Sequence, residues 1–431
     1  MTYEEARAYL RSLRRFGIKP GLERTRELLR RLGHPERRVG RVIHITGTSG
    51  KGSVAAMVEA GLRAAGYRVG LYTSPALQRF TERMQVDRRE IAREEVAALI
   101  ATVRRQVEAM VSEGWEQPTE FEVITAAAFQ YFARQQVDWL VLEVGLGGRY
   151  DATNVVPYPA ITCITNIGLD HTQWLGSTHE EIARDKAGII KPGVPCVTGT
   201  DHPGALAVIR EIALSQEAPL VEVTPEDWRV VSFGLDGQVL DLLGARGWYR
   251  GLRLPLLGEH QAANAAVALR VLELAGVPAE AIRQGLAEVV WPGRMELVFT
   301  AAGVPVLLDA AHNPAKCGAL AAAVRRYFPG RRVLLVLGVL ADKEVPGMLQ
   351  PLLDLAAQVW VAAPESPRAL PAPELQGLCR SFGCEAVAMP SVVDALEAAL
   401  AAAGPGDLVL VTGSFYTVRP ARRYMHPGQD A

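Results

Sequence analysis

The sequence predicts an α/β protein with two doubly wound parallel sheets, the first of P-loop type. Three observations carry this. Short apolar runs rich in β-branched residues alternate with helical stretches along most of the chain. A glycine-rich turn, Gly47 to Gly52, separates the first such run from a helix. A second, self-contained series of strands and helices starts after WPGR (291–294).

The N-terminal MTYEEARAYLRSLRR has the charge pattern of an amphipathic helix. RVIHIT (41–46) predicts a buried strand, and a helix follows over about 52–65. RVGLYT (68–73), VDWLVLEVG (137–145) and AITCIT (160–165) predict further strands, parallel to one another because helices intervene. Residues 226–257 break the rhythm with two strand–turn signals, expected to form a small antiparallel addition. A helix then begins near His260. VPVLLDA, RRVLLVLGV, AQVWVAA, CEAVAM and DLVLVTG predict five strands separated by four helical segments. The expected domains are therefore 1–296 and 297–431, and the second is the size of one doubly wound unit. The closing ARRYMHPGQDA is expected to fray.

Composition narrows the function classes. The 46 basic and 47 acidic residues of the 431 leave a formal charge of −1. No general attraction to nucleic acid or anionic membrane follows. Five cysteines, an odd number without a C-x-x-C pair, fit a reduced, cytoplasmic protein with no structural zinc. There is no apolar signal core, and no run reaches the ~18 apolar residues of a membrane span. Only six of the 46 basic residues are lysines, so each invites a question: Lys19, Lys51, Lys186, Lys191, Lys316 and Lys343.

The clearest site is HITGTSGKGS (44–53). Glycines let backbone N–H groups turn toward phosphate oxygens, the helix N-terminus adds positive potential, and Lys51 reaches the terminal phosphates. The strict G-x-x-x-x-G-K-[ST] pattern fails, because Ile45 replaces the first glycine and Gly52 follows the lysine. In LEVGLGGRYDATN (142–154), Glu143 ends an apolar strand at the sheet edge where α/β proteins bind ligands, a place suited to Mg²⁺. Asp170-His171 follows another strand end, and a Ser/Thr-capped helix then carries Asp185-Lys186. Taken singly, His171 is a satisfied structural histidine, Lys186 a surface cation paired with Asp185, and Lys191-Pro192-Gly193 a helix-ending turn. GEHQAANAAVAL (258–269), WPGRMEL (291–297) and LLDAAHNP (307–314) add Asn264, Arg294, Asp309 and His312. Together these clusters are expected to flank one interdomain crevice.

GTSGKGS, TSP, EVGLGGRYDATN, DHTQWLG, DKAGIIKPG, HQAANA, PGRME, DAAHNP and ADKE occur in this order, within a span from GLER (21–24) to TGSFYTV (412–418). On these motifs the chain resembles the folylpolyglutamate synthase/dihydrofolate synthase group of the Mur ligase superfamily. The resemblance implies an N-terminal ATPase domain and a smaller, Rossmann-like C-terminal domain closing over ATP. It implies a monomeric ligase joining L-glutamate to dihydropteroate or a reduced folate through an acyl phosphate, with release of ADP and phosphate. By resemblance, Gly50, Lys51, Gly52 and Ser53 bind the triphosphate, and Asn264, Arg294 and Asp309 contact ATP. Ser74, Glu143 and His171 would hold Mg²⁺, in two sites, and Lys186 would be carbamylated by CO₂. Lys51, Lys186 and His312 form the catalytic set, with His312 near the transferring phosphate or incoming glutamate. The pterin would lie near Lys19, Pro20, Gly21 and Leu22, near Thr119, Glu120, Phe121 and Glu122, and near Tyr150, Asp151 and Ala152.

Four departures stand out. Ser49 replaces the family's usual asparagine, Ala76 its common histidine after TSP, and Asp185 its glutamate, while VDRREIA (86–92) lacks the usual Asn-Gly turn. Two of these fall on the loop expected to cover the substrate, so the choice between dihydropteroate and folates stays open. Two other readings compete, a second enzyme and a nucleotide-binding switch or scaffold of another class. A cell-wall Mur ligase is disfavoured because only about 40 residues precede the phosphate loop. A nucleotide-dependent switch would leave Glu143, His171 and Lys186 without a shared purpose.

Overall fold

The computed structural model describes residues 1–17 and 19–427. The chain divides into two compact units. The first takes Met1–Val231, Val239–Arg253 and Gln261–Val289; the second takes Ser232–Gln238, Leu254–His260 and Val290–Ala431. The second unit thus takes in the WPGR turn, ahead of the expected start at 297.

The first unit is built on an eight-stranded sheet. Its strands are β1 (Arg41–Thr46), β2 (Val69–Tyr72), β3 (Met84–Val86), β4 (Arg89–Glu90), β5 (Trp139–Glu143), β6 (Ile161–Ile164), β7 (Cys196–Thr198) and β8 (Leu220–Glu222). The order is β4-β3-β2-β5-β1-β6-β7-β8, with parallel pairing except that β3 pairs antiparallel with both β2 and β4 at one edge. β1 and β5 are almost wholly buried, because helices cover both faces of the sheet. On one side lie the apolar faces of Tyr3–Leu13, Arg93–Ser112 and Glu120–Gln135, gathered around Leu10, Ile100, Phe129 and Phe132. Elsewhere in the unit, Ile182 from the helix His179–Lys186 and Ile209 from the helix Pro203–Ser215 pack with Ile164. Threonine capping boxes start three of these helices: Thr2 with Glu5, Thr119 with Glu122, and Thr178 with Glu181.

Chain order sets the position of the site. β1 is followed by β2 on one side, β5 inserts between them, and β6 lies on the other side of β1. The strand order therefore reverses at β1, and the loops leaving β1, β5 and β6 meet at the carboxyl edge, where such sheets bind ligands.

A three-stranded sheet, ordered β11-β10-β9, comprises β9 (Trp228–Gly234), β10 (Gly237–Gly244) and β11 (Gly247–Leu254). Its two-residue connections permit only antiparallel pairing, as the strand–turn signals predict. The helix expected near His260 is Glu259–Leu274.

The second unit holds β12 (Glu296–Phe299), β13 (Pro305–Leu308), β14 (Val333–Leu337), β15 (Ala356–Ala362), β16 (Ala386–Met389) and β17 (Leu408–Thr412). They pair in the order β12-β13-β17-β14-β15-β16. Five are the expected parallel strands; β12 is an additional antiparallel edge, formed because the chain turns back after Phe299 to pair with β13. Leu307, Leu335, Val361 and Leu410 centre its core. The tail holds its helix further than expected: Phe415–Met425 is helical, with Val418 and Ala421 buried. The rest of the expected fraying, at 428–431, lies outside the described residues.

Candidate active site

The phosphate loop leaves β1 at Thr46. Gly50 has a left-handed φ of 80° and stands at the start of the helix Lys51–Ala64. A Cβ at Gly50 would fall 2.3 Å from Asn264 Oδ1, so the asparagine side chain lies directly against this turn. The structure thereby brings together Gly50, Lys51, Gly52, Ser53 and Asn264 within the first unit. Lys51 Nζ donates to Gly47 O at 3.0 Å.

The loop after β6 clasps the phosphate loop from the other side. Thr165 Oγ1 donates to Ser49 O at 2.5 Å, and Asn166 Oδ1 accepts from Ser49 N at 2.8 Å. Thr48 N donates to Asn166 O at 3.0 Å. Sequence reading overlooked Thr165 and Asn166; the available signal was their place at the end of the AITCIT strand, beside the switch point.

Lys186 is not the surface cation that it would be if taken singly. It is 3 % exposed and donates from Nζ to the same Gly47 O, at 3.0 Å. The reason is the GLGGRYDATN loop, which folds over it. Arg149 N donates to Asp185 O at 2.9 Å, and Asn154 Nδ2 bridges Arg149 O and Gly188 O at 3.1 Å each. A Cβ at Gly148 would sit 2.6 Å from Lys186 O, so only glycine allows this approach. Burial, and next the charge of Lys51, pull the Lys186 pKa down to about 7, against the opposing pull of Asp185, Asp170 and Asp151.

Glu143 closes β5 and is 5 % exposed, and Ser74 N donates to its Oε2 at 3.1 Å. Those two expected metal ligands are thus together. His171 stands on the loop after β6, with φ of 53° and its side chain 42 % exposed, 3.8 Å from Asp170. Among the described residues, no three His, Cys, Asp or Glu side chains group as a metal site. The carboxylate at the carboxyl edge, next to the phosphate loop, fits a hard, oxygen-seeking cation such as Mg²⁺.

The segments expected to meet the pterin are joined by a residue outside the expected set. Arg24, 9 % exposed, donates to Lys19 O at 2.8 Å and pairs with Glu122 at 3.1 Å. Glu122 is also the capping-box partner of Thr119. Lys19 and Arg24 share Glu116, at 3.6 and 3.1 Å. Phe121 lies against Gly145, where a Cβ would meet its ring at 2.5 Å, which ties this segment to the loop after β5. Leu22, Asp151 and Ala152 are buried; Pro20 and Tyr150 are exposed, and Gly21 is half-buried. Glu120 points elsewhere, to Arg14 at 2.9 Å. Burial raises the Asp151 pKa, offset in part by Thr153 and backbone N–H donors.

In the second unit, Arg294, Asp309 and His312 also gather. Asp309 accepts from Met295 N at 2.9 Å and Ala311 N at 2.8 Å, tying the WPGR turn to the DAAHNP loop. Arg294 stacks 4.5 Å from the Phe415 ring centre. His312 Nδ1 is 2.8 Å from Ala310 O and its Nε2 is 3.0 Å from Lys316 Nζ. An ammonium only donates, so Nε2 accepts and the ring proton sits on Nδ1.

Known proteins fit this arrangement. Residues 45–272 match the Mur ligase middle domain, and residues 293–415 the Mur ligase glutamate ligase domain. The chain is 39% identical to the dihydrofolate synthase/folylpolyglutamate synthase of Bacillus subtilis, over 98% of each chain. It is 36% identical to that of Escherichia coli, over 95% of this chain and 92% of the other. The structure of Mycobacterium tuberculosis folylpolyglutamate synthase complexed with ADP matches with a TM-score of 0.91 and 36% identity, covering 98% of both chains. That of E. coli FolC in complex with DHPP and ADP gives 0.84 and 34%, covering 97% of both. The chain therefore belongs to the dihydrofolate synthase/folylpolyglutamate synthase family, built from Mur ligase domains.

Proposed function

We propose that this chain joins L-glutamate to dihydropteroate, to a reduced folate, or to both, using ATP and releasing ADP and phosphate. The chain is an ATP-dependent ligase of α/β Mur ligase architecture, acting in folate metabolism. The observation that carries the finer reading is Lys186, a buried amine beside the phosphate loop whose pKa falls to about 7.

A carboxylate is a poor electrophile toward an amine. Transfer of the γ-phosphoryl group to it supplies a leaving group, and the glutamate amine then displaces phosphate. Negative charge developing on the phosphoryl oxygens is met by Lys51 and by the backbone N–H groups at the start of Lys51–Ala64. Gly50, Lys51, Gly52 and Ser53 bind the triphosphate, and Asn264, Arg294 and Asp309 complete the ATP contacts. Ser74, Glu143 and His171 would hold Mg²⁺, in two sites, which when bound screens the phosphate charge. Lys186, about half neutral near pH 7, is able to attack CO₂ in that neutral form and become a carbamate; an arginine would stay protonated. His312, with its proton on Nδ1, serves near the phosphate or the incoming glutamate. Lys19 to Leu22, Thr119 to Glu122 and Tyr150 to Ala152 border the pterin-linked acid.

We further infer a cytoplasmic monomer with no nucleic-acid or membrane partner. No helix among the described residues is long and apolar enough to cross a membrane. The test is product formation dependent on ATP, Mg²⁺ and glutamate, with dihydropteroate and tetrahydrofolate as alternative acceptors. Ligation of at least one is expected. ATP binding without ligation of either would favour the nucleotide switch.

A further inference from the structure

One buried histidine has no part in the scheme above. His44 lies in the middle of β1, fully buried between Ile43 and Ile45. Its Nε2 is 2.8 Å from Thr153 Oγ1. Thr153 Oγ1 in turn donates to Asp151 Oδ1 at 2.6 Å. Asp151 accepts two backbone N–H groups besides, Thr153 at 3.0 Å and Leu146 at 2.9 Å.

A hydroxyl carries one proton, and here it goes to the carboxylate. His44 must then donate from Nε2, which leaves Nδ1 as an acceptor. That Nδ1 is buried without a hydrogen-bond partner. An aliphatic residue at this strand position would avoid the cost of an unsatisfied nitrogen. Burial, with a smaller push from the charge of Lys191, lowers the His44 pKa to about 3, so the ring is neutral at working pH. The group supplies a fixed donor that does not titrate near neutral pH.

Asp151 caps the loop that covers Lys186. Through Leu146 N it holds the glycine run whose Gly148 touches Lys186 and whose Arg149 N bonds Asp185 O. We propose that His44 is a positioning residue: its Nε2–H commits the Thr153 hydroxyl to Asp151, and so fixes that carboxylate and the loop it caps. The consequence for substrate rests on the reading that Asp151 borders the pterin-linked acid.

The test uses the full chain with His44→Leu, His44→Gln, Thr153→Val and Thr153→Ser. Glutamine keeps an N–H near the position of Nε2, and serine keeps the hydroxyl. His44→Leu and Thr153→Val are each expected to raise KM for the pterin-linked acid about tenfold, the loss of a hydrogen bond on a chain ending in a charged group. KM for ATP should stay within about twofold of the parent. His44→Gln and Thr153→Ser should recover most of the effect, and the His44→Leu/Thr153→Val double variant should be no worse than either single change. Imidazole ¹⁵N shifts should show a His44 proton on Nε2, unchanged across neutral pH. A proton on Nδ1, additive single effects, or His44→Gln as impaired as His44→Leu at equal thermal stability would overturn the proposal. If His44→Leu does not fold, Thr153→Val against Thr153→Ser and the ¹⁵N shifts decide. A parent enzyme that ligates neither acceptor counts against the function instead, and the ¹⁵N tautomer still decides the role of His44.

Discussion

Lys51 and Lys186 both donate to the carbonyl oxygen of Gly47, each at 3.0 Å. Two amines from segments far apart in sequence share one acceptor, and the charge of Lys51 helps depress the pKa of Lys186. Lys186→Ala is therefore expected to reduce the ligation rate by about 10²–10³-fold, the scale of losing one charge-stabilising group. Added acetate or formate should restore part of it by standing in for the proposed carbamate. Lys186→Arg should be as impaired, because a guanidinium stays protonated. Steady-state kcat checks this, and an unchanged kcat in Lys186→Ala would remove the residue from the site.

The same burial makes stability depend on pH. Folding lowers the Lys186 pKa from 10.5 to about 7. Between those values the unfolded chain holds a proton that the fold does not, so this group's contribution to stability rises with pH through that window. Below about 7 both states are protonated, and the fold bears the full cost of a buried ammonium. Lys186→Met should accordingly be more stable than the parent at neutral pH, by an advantage that shrinks toward pH 10. Urea denaturation in CO₂-free buffer at several pH values measures it. An advantage that grows with pH would contradict the assignment.

Gly50 meets two constraints at once, a φ of 80° and contact with Asn264. Gly50→Ala should destabilise the fold by about 1–2 kcal/mol from backbone strain alone. It should also raise KM for ATP, since the loop can relieve the clash only by shifting Asn264. Asn264→Ala in the same background should relieve the clash and none of the strain, while the lost ATP contact keeps KM for ATP raised. Thermal melts beside ATP titrations separate the two.

Arg24 and Glu122 form a buried pair, with side chains 11% and 5% exposed. Removing one partner leaves an uncompensated buried charge, so Arg24→Ala should cost about 3–5 kcal/mol. The double change Arg24→Met/Glu122→Gln should cost less than the single one. Chemical denaturation of the three proteins distinguishes this from a surface pair, whose loss would cost about 1 kcal/mol or less.

Legibility in the sequence followed the range of the interactions involved. The phosphate loop was readable because a buried strand, glycines and a helix are contiguous. So was Glu143, whose place at a strand end follows from one apolar run. β7 and β8 escaped notice because each is three residues long, below the reach of any periodic pattern. β12 escaped because ELVF becomes a strand only by pairing with β13. The burial of Lys186 was hidden for a similar reason: residues 145–149, distant in sequence, cover it. Arg24 and His44 pair with side chains more than 90 positions away. The lysine count was nonetheless a useful guide. Lys51 and Lys186 meet at Gly47, and Lys316 reaches His312.

In the proposed reaction the pterin-linked carboxylate is phosphorylated before glutamate attacks it. Dihydropteroate or folate labelled with ¹⁸O in that carboxylate, ligated with unlabelled ATP and glutamate, tests this in one turnover by mass spectrometry of the released phosphate. One labelled oxygen per molecule is expected in the phosphate, because the bond from carbonyl carbon to bridging oxygen breaks when the amine attacks. Ligation with unlabelled phosphate would contradict an acyl phosphate.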